Sequence, residues 1–338
     1  MKITFFEVSK AEQAFFSESL IGKDVSFFEE KLDENNIGRA KDADIISIFV
    51  NSSLNKNIIE ALHSLKYIIT RSTGFDHIDT EYSKTKGIQV SNVPAYGSQT
   101  VAEFTFALLL TLSRRVYWGS HQLKEGANFD LAQLEGFDLE GKTLGVVGTG
   151  KIGQNVIKIA KGFSMNVIAS DPYPKQELAS LFGFKYVDLN TLLGEADVVT
   201  IHVPYMPDTH HLINTENLKK IKKGSVFINT ARGEIVETEG LLAALNDGRI
   251  KAAALDVLEG ERDLKQEKTL AFGTDPKVER METMRKLAED HILIDLPNVI
   301  VTPHMAFFTK EAVERIMQTT VSNINNFLVG KFENIVNK

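Results

Sequence analysis

The 338-residue sequence predicts an α/β protein built on two doubly wound parallel sheets, and two observations predict it. Short apolar, β-rich segments alternate with helical ones in two successive zones. That is the strand, crossover, strand pattern of a parallel sheet with helices on both faces. Several of these segments are apolar throughout, which suits strands buried on both faces. The chain has room for about two domains, each with its own core.

In the first zone the strand-like segments are KITFFEV (2–8), DIISIFV (44–50), KYIIT (66–70) and IQVSNV (88–93), separated by helical stretches such as KNIIEALHSL (56–65). TVAEFTFALLLTLSRR (100–115) follows. Thr100 and Glu103 have capping-box spacing. The helix body is apolar nearly all round and must be covered, between two domains or in a dimer interface. The second zone holds TLGVVG (143–148), MNVIAS (165–170), ADVVTIHV (196–203), GSVFINT (224–230), KAAALDV (251–257) and NVIVTP (298–303). The polar stretch 258–290 reads as a loop followed by an exposed helix. In 309–330 Val313, Ile316, Met317 and Val321 recur at helical spacing, which predicts an amphipathic helix.

Composition narrows the function. The net charge of −7 argues against a nucleic-acid surface, and NLKKIKKG (217–224), the densest basic run, reads as a solvated helix end. The absence of cysteine excludes disulfides, thiolate metal sites and a cysteine nucleophile, and fits a reducing compartment. The N-terminus lacks a long apolar secretion segment, and IISIFV and FALLLTL are far too short to span a bilayer. The expectation is a cytoplasmic protein with no membrane partner. His202, His210 and His211 stand close in sequence, but no carboxylate or cysteine completes a metal set. They read as solvated or loop-bonding, and no metal is expected.

LGVVGTGKIG (144–153) contains G-x-G-x-x-G between a strand-like run and a helical face marked by Ile152, Val156, Ile159 and Phe163. In that setting Gly148 permits a tight turn, Gly150 lets the backbone approach a pyrophosphate, and Gly153 lets helix and strand pack closely. Free N–H groups at the helix start face the phosphates. Asp171 follows 18 residues after Gly153, where a carboxylate can bind both hydroxyls of an adenosine ribose. It would repel a 2′-phosphate, and DPYPKQEL offers no arginine to reverse that, so the reading is NAD rather than NADP. A segment of about 100–140 residues precedes this turn and should carry the substrate.

Polar residues then follow three strand-like runs: Arg232 in INTARGEIV, Asp256 and Glu261 in ALDVLEGE, and His304 in VTPHMAFF. Ligands bind at such strand ends in open α/β sheets. Hydride transfer to a 2-keto acid requires an acid for the carbonyl oxygen, and histidine suits that near neutral pH. It requires a holder for the substrate carboxylate, and arginine offers a rigid fork of donors. A carboxylate beside the histidine favours the imidazolium form and fixes the ring.

Seven motifs in order, RSTGFDHID (71–79), VPAYGSQTVAEF (93–104), GKTLGVVGTGKIG (141–153), HVPYMPDTHHLIN (202–214), INTARGEIV (228–236), LDVLEGE (255–261) and VTPHMAFFT (301–309), make the sequence resemble the D-isomer-specific 2-hydroxyacid dehydrogenase family, most closely its D-lactate branch. Residues 1–65 match weakly. The resemblance implies an NAD-dependent enzyme, working physiologically as a reductase that converts a small, pyruvate-like 2-keto acid to the D-2-hydroxy acid. Arg232 would be the substrate-binding arginine, Glu261 the carboxylate paired with the histidine, and His304 the proton donor. Lys151 and Ile152 would lie in the phosphate turn, and Val203, Pro204 and Thr209 would be cofactor contacts. Thr230 and Ala231 would flank the nicotinamide side, with Asp256 near its ring. Thr73, Gly74 and Phe75 would grip the substrate carboxylate, and Tyr96 would face the substrate. Phe308 stands where the branch often has a tyrosine, and Phe307 and Phe308 suggest an aromatic wall.

The resemblance also implies a discontinuous, flavodoxin-like substrate domain (1–97 and 305–338), a Rossmann NAD-binding domain (98–304), an active site in the cleft and a homodimer. Relatives that serve as NAD-binding corepressors or oxidise phosphite remain alternatives. Glu261 argues against the formate-oxidising type, where a glutamine pairs with the histidine.

Overall fold

The computed structural model describes residues 1–261, 264 and 277–338. The chain divides into two compact units, Met1–Tyr96 with Phe308–Lys338, and Gly97–Phe307.

The first unit is a parallel sheet of β1 (Lys2–Phe5), β2 (Asp24–Phe27), β3 (Ile45–Ile48), β4 (Tyr67–Thr70) and β5 (Gln89–Ser91), in the order β2-β1-β3-β4-β5. Its central strands are buried on both faces, as their largely apolar sequences suit. β2 is half-exposed, and its short DVSF gave no apolar run to predict it. β1 stops at Phe5, short of the expected Val8, because Glu7 turns into the left-handed region at φ 57°. That conformation is uncommon for a residue with a side chain. Here the Glu7 carboxylate supports it by accepting the backbone N–H groups of Phe49, Asn51 and Ser52 at 2.9–3.0 Å. The C-terminal helix Lys310–Leu328 starts at a Thr309 cap and buries Ala312, Ile316, Thr320, Asn323 and Ile324.

The second unit is a seven-stranded parallel sheet: β6 (Thr143–Val147), β7 (Asn166–Ser170), β8 (Lys185–Tyr186), β9 (Val198–Ile201), β10 (Ser225–Asn229), β11 (Ile250–Leu255) and β12 (Val299–Val301), in the order β12-β11-β10-β9-β6-β7-β8. Successive strand residues supply opposite cores. Val146, Val198, Val226 and Ala252 join one, and Val147, Val199, Phe227 and Ala253 the other. The order reverses between β6 and β9, which makes their C-terminal ends the crevice of a doubly wound sheet.

The expected helix over 100–115 runs Ser98–Arg114 and covers one face of this sheet beside the helix Lys151–Gly162. Its cap differs from the expectation. Gly97 occupies the cap position without a side-chain bond, and Glu103 instead accepts from Gln99 within the helix. Arg115, at φ 52°, breaks it from a second helix, Val116–Gly126. The buried face after the glycine turn is Gly153, Val156, Ile157 and Ala160, whereas Phe163 at the helix end is exposed. The helix expected to lie exposed within 258–290 spans Lys277–Asp295 and buries Leu287, Asp290 and Leu293 on one face. Most of the loop before it lies outside the described residues. Among the described residues no helix is long and apolar enough to cross a membrane.

Candidate active site

The glycine turn opens directly from β6. Gly148 has φ 96°, and a Cβ there would lie 2.8 Å from the backbone of His202, which leaves β9 alongside. A Cβ on Gly153 would lie 2.1 Å from the Gly148 carbonyl oxygen, so helix and strand touch through bare backbone. A Cβ on Gly150 would meet nothing within 4 Å. Gly150 is the exposed cap of the helix Lys151–Gly162, so the first-turn N–H groups of Lys151 and Ile152 have no partner within their own helix. Buried His202 lies beside this turn. Its Nε2 is 2.9 Å from the Thr200 hydroxyl and its Nδ1 has no hydrogen-bond partner among the described residues. Burial pushes its pKa down to about 3, so the ring is neutral. An open cradle at a helix N-terminus, with an orphaned ring nitrogen beside it, fits a dinucleotide.

Asp171 follows β7 and is already engaged. Oδ2 accepts the Thr149 N–H at 2.7 Å and its hydroxyl at 2.8 Å, and Oδ1 accepts the Tyr173 N–H at 2.9 Å. Partial burial opposes the charge, but these donors outweigh it and hold the carboxyl below the usual range. Three of the roughly four acceptor positions of a carboxylate are therefore taken, which leaves room for about one ribose hydroxyl rather than the expected two. Beyond β9 the loop is braced by Thr209, whose hydroxyl donates to the Pro204 carbonyl at 2.8 Å and accepts the Met206 N–H at 2.8 Å. Val203 packs towards Gly148.

The candidate catalytic groups leave three neighbouring strands. After β10 the Asn229 side chain accepts the Ala231 N–H at 3.0 Å and donates to the Arg232 carbonyl at 2.8 Å, a local brace that presents Arg232. Thr230 is buried with its hydroxyl 3.2 Å from that of Thr105. After β11 comes Asp256, which is 1% exposed. Its Oδ1 accepts from the Thr302 hydroxyl at 2.5 Å and the Met305 N–H at 2.9 Å, its Oδ2 accepts the Ala306 N–H at 2.8 Å, and its carbonyl accepts the His304 N–H at 2.9 Å. Burial pushes its carboxyl up, and these bonds oppose the shift. Asp256, expected against a nicotinamide ring, thus has both oxygens engaged in holding the turn after β12. That turn carries His304 at φ 54°. His304 Nδ1 lies 3.0 and 3.2 Å from the two oxygens of Glu261. The Arg232 turn presses on the segment leading to Glu261, since a Cβ on Gly233 would lie 2.1 Å from the Leu258 backbone.

The other candidates lie in the first unit. Thr73, Gly74 and Phe75 follow β4 in a turn tied by Thr73 Oγ1 to the Val93 carbonyl at 3.0 Å and by Ser72 Oγ to the Gly74 carbonyl at 2.7 Å. The Tyr96 carbonyl accepts from Arg315 at 2.7 Å, and the Phe308 side chain is exposed. Of the three histidines, His211 stacks on His210 with ring centroids 3.9 Å apart and places Nε2 3.0 Å from Glu259. His202 lies apart from that pairing, in the cofactor crevice. Among the described residues no group of histidines and carboxylates could hold a metal. The sequence reading missed Asn229, Glu259 and Asp290. An asparagine ending an apolar strand run was a usable signal for Asn229. The two acids lie in a polar stretch with no such signal.

Residues 106–306 match the family described as D-isomer specific 2-hydroxyacid dehydrogenase, NAD binding domain. The chain is 36% identical to the D-lactate dehydrogenase of Escherichia coli K12, over 98% of each chain. It is 37% identical to a 2-hydroxyacid dehydrogenase homolog of Haemophilus influenzae, over 99% of each. Its structure superposes with a TM-score of 0.89, at 35% identity and covering 100% of this chain and 99% of the other, on the D-lactate dehydrogenase of Aquifex aeolicus complexed with NAD and lactic acid. The chain belongs to the D-isomer specific 2-hydroxyacid dehydrogenase family and is an NAD-dependent dehydrogenase.

Proposed function

We propose that the chain reduces a small, pyruvate-like 2-keto acid to the D-2-hydroxy acid, with His304 as proton donor. The observation that carries this reading is the His304–Glu261 pair at 3.0 Å, on the strand-end edge that also presents Arg232. NADH bound in the β6–β9 crevice would supply the hydride. With Nδ1–H donating to Glu261, His304 keeps the tautomer that leaves Nε2 as the proton-transfer atom. Protonated His304 gives that proton to the carbonyl oxygen as negative charge grows on it, and Glu261 stabilises the imidazolium before transfer. Arg232 holds the substrate carboxylate and polarises the carbonyl. Asp256 keeps the left-handed His304 backbone in place. For the first unit we propose that the backbone of Thr73, Gly74 and Phe75 binds the substrate carboxylate and that Tyr96 and Phe308 are substrate-facing side chains.

The test is NADH oxidation with pyruvate, with the product's configuration determined. D-lactate alone is expected. Inactivity across a panel of 2-keto acids, or an L product, would defeat the reading. We also propose that the chain pairs with a second copy. The helix Val116–Gly126 buries none of its residues and exposes Val116, Tyr117 and Leu123, with Phe129 and Leu131 exposed just beyond. Light scattering that returned a monomer at micromolar concentration would contradict this.

A further inference from the structure

The turn Leu258–Glu261 carries the carboxylate that meets His304, and two groups outside the reaction grip it. On one side the Glu259 carboxylate lies 3.0 Å from His211 Nε2, 2.9 Å from the Thr238 hydroxyl and 3.3 Å from Lys286 Nζ. On the other, Asp290 comes from the helix Lys277–Asp295 and is 1% exposed. Its Oδ2 accepts the Gly260 N–H at 3.1 Å, and its Oδ1 has no hydrogen-bond partner among the described residues.

Gly260 records how close this fit is. A Cβ there would lie 2.4 Å from Asp290 Oδ2, while among the described residues the next side chain it would meet is Lys286, whose Cβ lies at 3.7 Å, an ordinary contact. Among the described residues, a side chain at 260 would therefore have to displace the Asp290 carboxyl. A buried carboxyl with an unsatisfied oxygen costs stability, and the bond from the Gly260 N–H offsets only part of that cost. What the acid adds is its hold on the residue next to Glu261. Gly233 also bears on the backbone of Leu258 and Glu259, so the turn touches both the Arg232 loop and the helix.

We propose that Asp290 is a positioning residue for the reaction, acting through Gly260 to fix Glu261 and with it the His304 ring. The inference rests on the reading of Glu261 and His304 given above. It differs from a packing role in what it predicts for pairs of substitutions. Asp290→Ala should lower kcat about tenfold, the scale expected when a catalytic group is loosened by a fraction of an ångström. Asp290→Asn, whose amide oxygen accepts the same bond, should recover most of that loss. Gly260→Ala should lower kcat by a similar factor because its methyl meets Asp290, and Gly260→Ala/Asp290→Ala should be no worse than Asp290→Ala.

The measurements are kcat and KM for the four variants, with NADH affinity by fluorescence titration and a melting curve for each. Changes in kcat with NADH affinity held, and a double variant that is not additive, support the proposal. A folded Asp290→Ala with wild-type kcat, or fully additive losses, would overturn it. If Asp290→Ala does not fold, Gly260→Ala and Asp290→Asn decide. Loss of kcat in the first with near-wild-type kcat in the second supports the proposal, and any other pattern overturns it. A wild-type chain that reduces no 2-keto acid would defeat the reading of the site; an active one with additive variants would defeat this inference alone.

Discussion

At the level of single residues, the proposed site pairs groups assigned to act on substrate with groups that hold them. His304→Gln removes the transferable proton while leaving a planar polar side chain, so kcat should fall by about 10²–10⁴ with little change in NADH affinity. A variant that kept the wild-type rate would remove His304 from the chemistry. Asp171→Ala should weaken NADH binding and narrow the gap between NADH and NADPH, read by titration of each. An unchanged ratio would show that the ribose is read elsewhere. Asp290 gives a pH prediction whose sign can be worked out. Burial pushes its carboxyl from 3.8 up to about 7, with Glu259 and Glu289 adding to the shift and the Gly260 N–H and His291 opposing it. The folded chain therefore holds a proton that the unfolded chain has lost. This contribution is fully present below about pH 4 and is lost as pH rises through about 7, up to about 4 kcal/mol in all. Asp290→Asn removes this dependence, so its melting temperature relative to wild type should rise between pH 5 and pH 8. A constant difference would contradict the shift. None of Asp290's role was legible in the sequence, where it is one acid in a polar stretch. Its burial comes from helix packing between distant segments.

At the level of elements, the glycine turn was legible because each glycine answers to neighbours that G-x-G-x-x-G itself specifies. Gly148 carries the positive φ, Gly153 touches the Gly148 carbonyl, and Gly150 faces open space. Gly153→Ala should accordingly cost both stability and NADH affinity, since its methyl would press the helix Lys151–Gly162 away from β6. A melting curve and titration like those of wild type would show that the turn relaxes freely. Elements that depend on side-chain engagement rather than apolar pattern were not legible. The early end of β1 follows from Glu7 turning to serve the loop after β3, and nothing in KITFFEV announces that. β8 is two residues long, too short for periodicity to register. The helix Lys277–Asp295 read as exposed because its buried face includes an acid.

For the whole molecule, the two parallel sheets were legible from strand composition, and their orders place the crevice of the second unit where β6 and β9 part. The division at Tyr96 and Phe308 shows that the first unit is assembled from both ends of the chain. The C-terminal helix completes it by burying Ile324 against Phe5, Tyr67 and their neighbours. No local pattern predicts such a closure; it came from resemblance. The central claim is that His304, steadied by Glu261, and Arg232 convert this NAD-binding unit into a 2-keto acid reductase. Its most direct measurement is single-turnover oxidation of bound NADH on mixing with pyruvate, for wild type and His304→Gln, with the product resolved by configuration. The account predicts rapid formation of D-lactate alone by wild type and a rate at least about 10²-fold slower in the variant, with NADH equally bound in both. Equal rates in the two, or any L-lactate from wild type, would contradict it.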